Sequence, residues 1–489
     1  MGGGGAGSAR SRTGPDTVTR SIRLIVALGA LGALGALALL AAPGASFAAP
    51  DSAFGAPDLA RAARMIVGDG QGVYVEASDG TVLVAQAATR PVHPASVSKV
   101  ASTLALLAKL GPDYRFETRF TWSGSIVDGV LQGDLAVRSD GDVSLVDEDA
   151  LLVAAHLNEL GIRDIAGALR SRGPLIFDWQ SDPGGLRLRD ALAGHTSNAA
   201  WRAVSEIERG AGANAAAFDR PTVSFGRGPR REAHIAPATL EARPATASRP
   251  ALESAAGTVS AAGGQEIVYR SQPLIFLLKS LNDYSNNIFD SLVDAIGGAA
   301  VVEAFARSRV RADLRDEITL SDAAGEDPRN RLSPRAAVQL LRALERELAA
   351  TGHSLSDVLP VAGVDSGTLE ARLDDPQEAG RVVGKTGTYG SYGASALIGA
   401  IRTRDRGTVY FAILDHGVPV PEARRRQDRF VRALLARYRT TPWPYHPDGR
   451  SAVARAEILV RERGPELPIP SQAVGHSQPV GHSQPVLNR

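Results

Sequence analysis

The sequence predicts an α+β fold: one antiparallel sheet flanked by helices, assembled from two distant stretches of chain and interrupted by an inserted region. Three observations predict it. Strand-like runs occur both early, within 72–85, and late, within 382–414. Between them, a helix from about Ser96 to Leu110 carries Val97, Val100, Leu104, Leu106, Leu107 and Leu110 around most of its circumference, as a helix inside a core does. From Gly210 to Gly264 the apolar pattern weakens into Ala, Arg, Pro and Gly, so an inserted region over about 146–264 splits the sheet-forming segments. The length of 489 residues also exceeds what one hydrophobic core usually fills.

The elements follow in order. Residues 1–48 have the three-part plan of a secretory signal. Arg10, Arg12, Arg20 and Arg23 precede an uncharged apolar run from Leu24 to Ala42, and Ser46-Phe47-Ala48 offers small residues for cleavage after Ala48. The alternative is an uncleaved anchor, which would bring the molecule to the membrane surface. Either outcome exports the remainder, and the periplasm is the expected compartment. Gly72 to Ala77 and Thr81 to Ala85 read as strands joined by Ser78-Asp79-Gly80. Pro91 and Pro94 hold the chain extended before the apolar helix, and Gly111-Pro112 ends it.

A second helix spans Val146 to Leu160, with acidic residues in its first turn. Thr222 to Phe225 is the one convincing strand in the rest of the insertion. Ser271 reads as an N-cap for a helix over Leu274 to Leu281. Helices follow around Ile288 to Ile296 and from Ser333-Pro334 onward. Strands over Val382 to Thr388, Ser395 to Arg402 and Thr408 to Leu414 and a helix after Pro421 complete the set. The expected domains are therefore 55–145 with 265–440, an insertion over 146–264, and a low-complexity tail over 441–489. The tail ends in a duplicated Val-Gly-His-Ser-Gln-Pro. His476 and His482 on such a tail are a weak ligand set, and no metal or cofactor is assigned.

Composition narrows the chemistry. A formal net charge of +1 gives no reason to expect nucleic acid as a partner. Cysteine is absent, which excludes disulfides and thiolate catalysis. Of 54 basic residues only four are lysines, and two of these, Lys99 and Lys385, sit in suggestive contexts. Arginine cannot lose its proton, whereas a partly buried lysine can, so a lysine kept in an arginine-rich chain is a candidate base. Lys109 and Lys279 read as ordinary solvated helix residues.

Ser96 and Lys99 lie three residues apart on one face at a helix start, where free N–H groups can also stabilise an oxyanion. Alone, Ser-x-x-Lys is weak, since a capping serine near a solvated lysine is the commoner explanation. Lys385-Thr386-Gly387 lies at the end of a strand, with a glycine that permits close approach and a lysine that could offer charge to a substrate carboxylate. Ser285-Asn286-Asn287, at a helix junction, is by itself a common N-cap signature. His93 precedes Ser96 too closely for a Ser-His-Asp triad. Asp140-Gly141-Asp142 lacks the further acids that calcium needs.

The order Ser-x-x-Lys, Ser-x-Asn, Lys-Thr-Gly resembles that of penicillin-binding proteins and serine β-lactamases. The blocks His93 to Val100, Leu110 to Phe116, Leu359 to Gly363 and Gly367 to Leu369 with Arg372 are similar to the low-molecular-mass class C penicillin-binding proteins, the D-alanyl-D-alanine carboxypeptidase/endopeptidase family of peptidases S13. The long insertion is typical of that class. The resemblance implies a transpeptidase-type domain, penicillin as a covalent inhibitor and peptidoglycan stem peptides as substrate. It implies Ser96 as nucleophile, Lys99 as its base and Ser285 as proton relay. Asn287 would orient the substrate amide, Lys385 and Thr386 would bind its carboxylate beside Gly387, and Thr388 would complete the oxyanion site with Ser96. In relatives an acid in the insertion meets the stem peptide; here the matching stretch, Gly167 to Arg172, is basic through Arg170 and Arg172. A non-catalytic peptidoglycan-binding protein is the rival from another class. A β-lactamase is nearer, but it needs a base for fast deacylation, and no motif supplies one.

Overall fold

The computed structural model describes residues 58–210, 219–226, 264–390 and 393–463. The signal-like segment and the duplicated hexapeptide lie outside the described residues. The first segment contributes α1 (Leu59–Ile66), β1 (Gly72–Ala77), β2 (Val82–Gln86) and α2 (Lys99–Leu110). Next come β3 (Glu117–Trp122), β4 (Leu135–Ser139), α3 (Asp147–Glu159) and β5 (Leu169–Arg172). After the insertion come β6 (Gln265–Arg270), α4 (Leu274–Asp283) and α5 (Pro334–Ala350). The chain closes with β7 (Val382–Tyr389), β8 (Ala394–Thr403), β9 (Gly407–Asp415), α6 (Val420–Arg437) and β10 (Glu457–Glu462).

The main sheet runs β7-β8-β9-β1-β2, every neighbour antiparallel, with Thr440–Thr441 added beside β8. Its central seam joins the two distant segments: Gly72 faces Leu414 and Ala77 faces Val409. Alternation along β9 sends its side chains to two cores, because successive residues of a strand point to opposite faces. Tyr410, Ala412 and Leu414 pack with α2, α4 and α5, whereas Val409, Phe411 and Ile413 pack with α1 and α6. Enclosed from Lys99 to Leu107, α2 meets solvent only near its C-terminal end, which explains its largely apolar sequence.

Two boundaries differ from expectation. Residues 117–139, assigned to the first domain, instead enter a second sheet in the order β10-β6-β3-β4-β5. There β3 pairs with β6, so Phe120 faces Ile267, and both join Val137, Val153 and Leu157 in a third core. The second sheet therefore starts well before residue 146 and includes 265–270. The tail is not featureless either, because β10 pairs with β6 along its whole length, Gln265 opposite Glu462 and Arg270 opposite Glu457. Within the insertion, Ser224–Phe225 forms a short strand beside Asp164–Ile165.

Two side chains are corrected with them. Ser271 is not the cap of α4, which Pro273 precedes; its hydroxyl accepts from the Phe116 N–H at 2.9 Å and holds β3 to the end of β6. Lys279 is not solvated. It is buried, with Nζ bonded to Asp365 and to the Leu359 carbonyl, and 4.6 Å from the Tyr445 ring centre. A buried ammonium needs such partners, because losing water is otherwise costly.

Candidate active site

The three motifs meet at one edge of the main sheet. Ser96 sits in a 3₁₀ turn, Ala95–Ser98, that runs into α2. Ala95 adopts φ +49°, a conformation that costs an L-residue about 1 kcal/mol or more and persists only where the surroundings enforce it. They do so on three sides. The Ser98 hydroxyl donates to the Ala95 carbonyl at 3.0 Å. His93 accepts from the Ala95 N–H at 3.2 Å through Nδ1, while its Nε2 lies 3.0 Å from the Asp327 carbonyl and its ring 4.7 Å from that of Tyr389. Those contacts make His93 a brace for the turn, with Nε2 carrying the proton.

The third side is β7. A Cβ on Gly387 would lie 2.6 Å from the Pro94 carbonyl oxygen and 3.2 Å from the Ser96 nitrogen. What needs the glycine here is the protein's own nucleophile turn, whereas the motif had suggested an approaching ligand. Thr388, one residue on, is exposed beside that turn, and its hydroxyl accepts from Arg424 of α6 at 3.1 Å. Arg424 had no signal in the sequence, since nothing in a helix over 420–437 ties it to a strand 36 residues earlier.

Lys99 is fully enclosed and joins the motifs. Its Nζ lies 2.8 Å from Ser96 Oγ and 3.0 Å from Asn287 Oδ1, and it donates to the Ala324 carbonyl. Burial disfavours its charged form and lowers its pKa to about 8, against the pull of Glu326, Asp322 and Asp290. About a tenth of the molecules then carry a neutral Lys99 at pH 7, compared with well under a thousandth for an ordinary lysine.

Lys385 is buried as well, and its pKa falls well below the usual value through desolvation and the nearby Lys99 charge. Its Nζ donates to Ser285 Oγ and to the Thr386 carbonyl, each at 2.9 Å. This differs from a lysine presenting fixed charge to a carboxylate: its present partner is the second serine. Ser285 adopts φ +55° at the junction after α4, which turns it toward Lys385 while Asn287 faces Lys99. Asp283, half-buried within reach of Lys279 and Lys385, has its pKa pushed up to about 7 by desolvation.

Two serines, each paired with a buried lysine at the edge of an antiparallel sheet, define a serine acyl-transfer hydrolase of the penicillin-binding fold. The model of the D-Ala-D-Ala carboxypeptidase 3 (S13) family matches residues 59–181 and 254–437, more than half of the chain, and the chain belongs to that family. It is thus a serine DD-peptidase. Carboxypeptidase DacB of Mycolicibacterium smegmatis is 27% identical over 376 residues, covering 71% of this chain and 76% of that protein. Carboxypeptidase Rv3627c of Mycobacterium tuberculosis is 26% identical over 371 residues, covering 70% and 75%. Among solved structures, the penicillin G-acylated Bd3459 predatory endopeptidase from Bdellovibrio bacteriovorus superposes with a TM-score of 0.61 at 22% identity, covering 78% of this chain and 96% of that one. Penicillin-binding protein 4 from Haemophilus influenzae gives 0.50 at 18%, covering 77% and 99%. At these identities the superpositions speak for the fold.

Proposed function

We propose that Ser96 is the nucleophile of an exported DD-peptidase that cleaves D-Ala-terminated stem peptides of peptidoglycan. The observation that carries the proposal is the 2.8 Å contact between Ser96 Oγ and the Nζ of a lysine whose pKa burial has lowered. Neutral Lys99 takes the hydroxyl proton as Oγ bonds to the carbonyl carbon. The developing oxyanion is met by the N–H groups of Ser96 and Thr388, on the turn and strand that Gly387 brings together. As the C–N bond breaks, Ser285, bonded to Lys385, passes a proton to the leaving amine and takes one back from solvent through Lys385. Asn287 orients the substrate amide. The hydroxyls of Thr386 and Thr388, with the Arg424 guanidinium, form a polar and cationic end suited to a free terminal carboxylate, which favours carboxypeptidase action. Cross-links between D-Ala and diaminopimelate are the second substrate. The basic, apolar start of the chain supports export to the periplasm.

Labelling with a fluorescent penicillin tests this reading. Wild type takes up the label covalently, and Ser96→Ala abolishes it; undiminished labelling of that variant would sink the assignment.

A further inference from the structure

The acylation chemistry leaves one group of the site unused. Residues 321–330 form a loop wound around Asp322, whose carboxylate accepts from the N–H groups of Gly325, Glu326 and Asp327 and from Asn330 Nδ2. Asp290, in the short helix Phe289–Val293, fixes it by accepting from the Ala323 N–H at 2.7 Å. The loop is pressed onto the nucleophile turn: a Cβ on Gly325, at φ +87°, would lie 2.2 Å from the Ala95 carbonyl oxygen. Its Ala323 and Ala324 carbonyls accept from Ser102 and Lys99 of α2. Glu326, the next residue but one, is therefore held in a set position relative to Ser96.

The Glu326 side chain is exposed, and Oε1 accepts from Asn287 Nδ2. Asn287 Oδ1 in turn accepts from Lys99, so the carboxylate stands two hydrogen bonds from the base and three from the nucleophile. Among the acids that act on Lys99, Glu326 exerts the largest pull. Lys99 is closed to solvent and the exposed Asn287 carries no group that can take a proton, whereas Glu326 is a carboxylate that meets both the network and water. An acyl-enzyme is discharged by a water that must lose a proton as it attacks, and this carboxylate is placed to take it.

We propose that Glu326 is the general base of deacylation, acting on the water that hydrolyses the Ser96 ester, penicilloyl ester included. The proposal rests on Ser96 being acylated as described above. Water gives a proton to Glu326 as its oxygen bonds to the ester carbonyl carbon. The bond from that carbon to Ser96 Oγ then breaks, and Oγ takes a proton from the Lys99 ammonium. That transfer returns Lys99 to the neutral form in which acylation began, and Glu326 releases its proton to solvent. Penicillin would accordingly be turned over instead of remaining as a permanent adduct, giving the chain a β-lactam hydrolase activity.

The test uses the full chain with fluorescent penicillin, measuring label uptake and label release separately. Glu326→Gln keeps an acceptor for Asn287 but removes the base. Release is expected to slow at least tenfold while uptake does not fall, since losing the Glu326 charge favours neutral Lys99. Glu326→Asp should recover part of the release rate. If release is unchanged in Glu326→Gln, or if uptake and release fall together as they would were Glu326 only orienting Asn287, the proposal is overturned. A wild-type chain that takes no label overturns the Ser96 reading itself, and this one with it.

Discussion

At the scale of single residues, the question is what Lys99 does with its proton. Lys99→Arg keeps a positive charge of similar reach but removes a group that can be neutral. Acylation by penicillin is expected to fall on the order of 10²-fold or more, read from the labelling rate; near-normal labelling would reduce the lysine to a point charge. Because desolvation holds the Lys99 pKa at about 8, the wild-type acylation rate should climb with pH to a plateau above that value. Residues of this kind were legible in the sequence. Lysine is so scarce that its presence after Ser96 and before Thr386 carried information. Glu326 was not legible, because its contact with Asn287 spans 39 residues and arises from a loop folding back over α2. Lys279 was misread for the same reason: helical position says nothing of Asp365, 86 residues further on.

At the scale of elements, the main sheet was readable because its strands alternate or run apolar between clear turns. The second sheet was not. Residues 117–122 alternate between buried and half-buried, which marks a strand without saying which sheet receives it. One consequence concerns β5. Arg170 on this strand is exposed and paired with Asp134 at 2.7 Å, so the strand presents no unpaired acid at the position matched to the family's acidic residue. A free amine on the stem peptide should gain little there. The enzyme is expected to discriminate less than tenfold in kcat/KM between a diaminopimelate-containing pentapeptide and the same peptide with its side-chain amine acetylated. A larger preference for the free amine would mean that another acid reads it, and that the alignment of this strand is wrong.

At the scale of the whole molecule, stability should depend on pH in an unusual direction. Burial raises the carboxyl pKa of Asp415 to about 6 and of Asp142 and Asp283 to about 7. Unfolded, each would titrate near 4. A raised carboxyl pKa means that the folded state holds the proton more tightly, so this contribution is complete below pH 4 and is lost as pH rises through 6 to 7. Lys99 is depressed toward 8 and contributes little change below that value, while Lys385, depressed well below its usual value, acts in the opposite sense. The melting temperature is expected to be higher at pH 5.5 than at pH 8, by at least about 2 °C. Asp142→Asn should flatten the dependence, since its buried Oδ2 lacks a hydrogen-bond partner. A melting temperature that rises with pH over this window would show that these groups do not dominate.

The strand β10 has a consequence for how the molecule comes into being. It is the outermost member of the second sheet, yet it is made almost last, nearly two hundred residues after the β6 edge it covers. Until it emerges, β6 presents an open row of N–H and C=O groups, a template on which a neighbouring chain can add a strand. A ribosome making this protein thus leaves a sticky seam uncovered from the completion of β6 until β10 is added, and a nascent chain cut short in that interval would keep it for good. A version stopped after Tyr445 should still take up penicillin, because the main sheet is complete, but should form assemblies detectable by light scattering that the full chain does not. A truncated protein that stays monomeric would mean the seam is guarded by something other than its last strand.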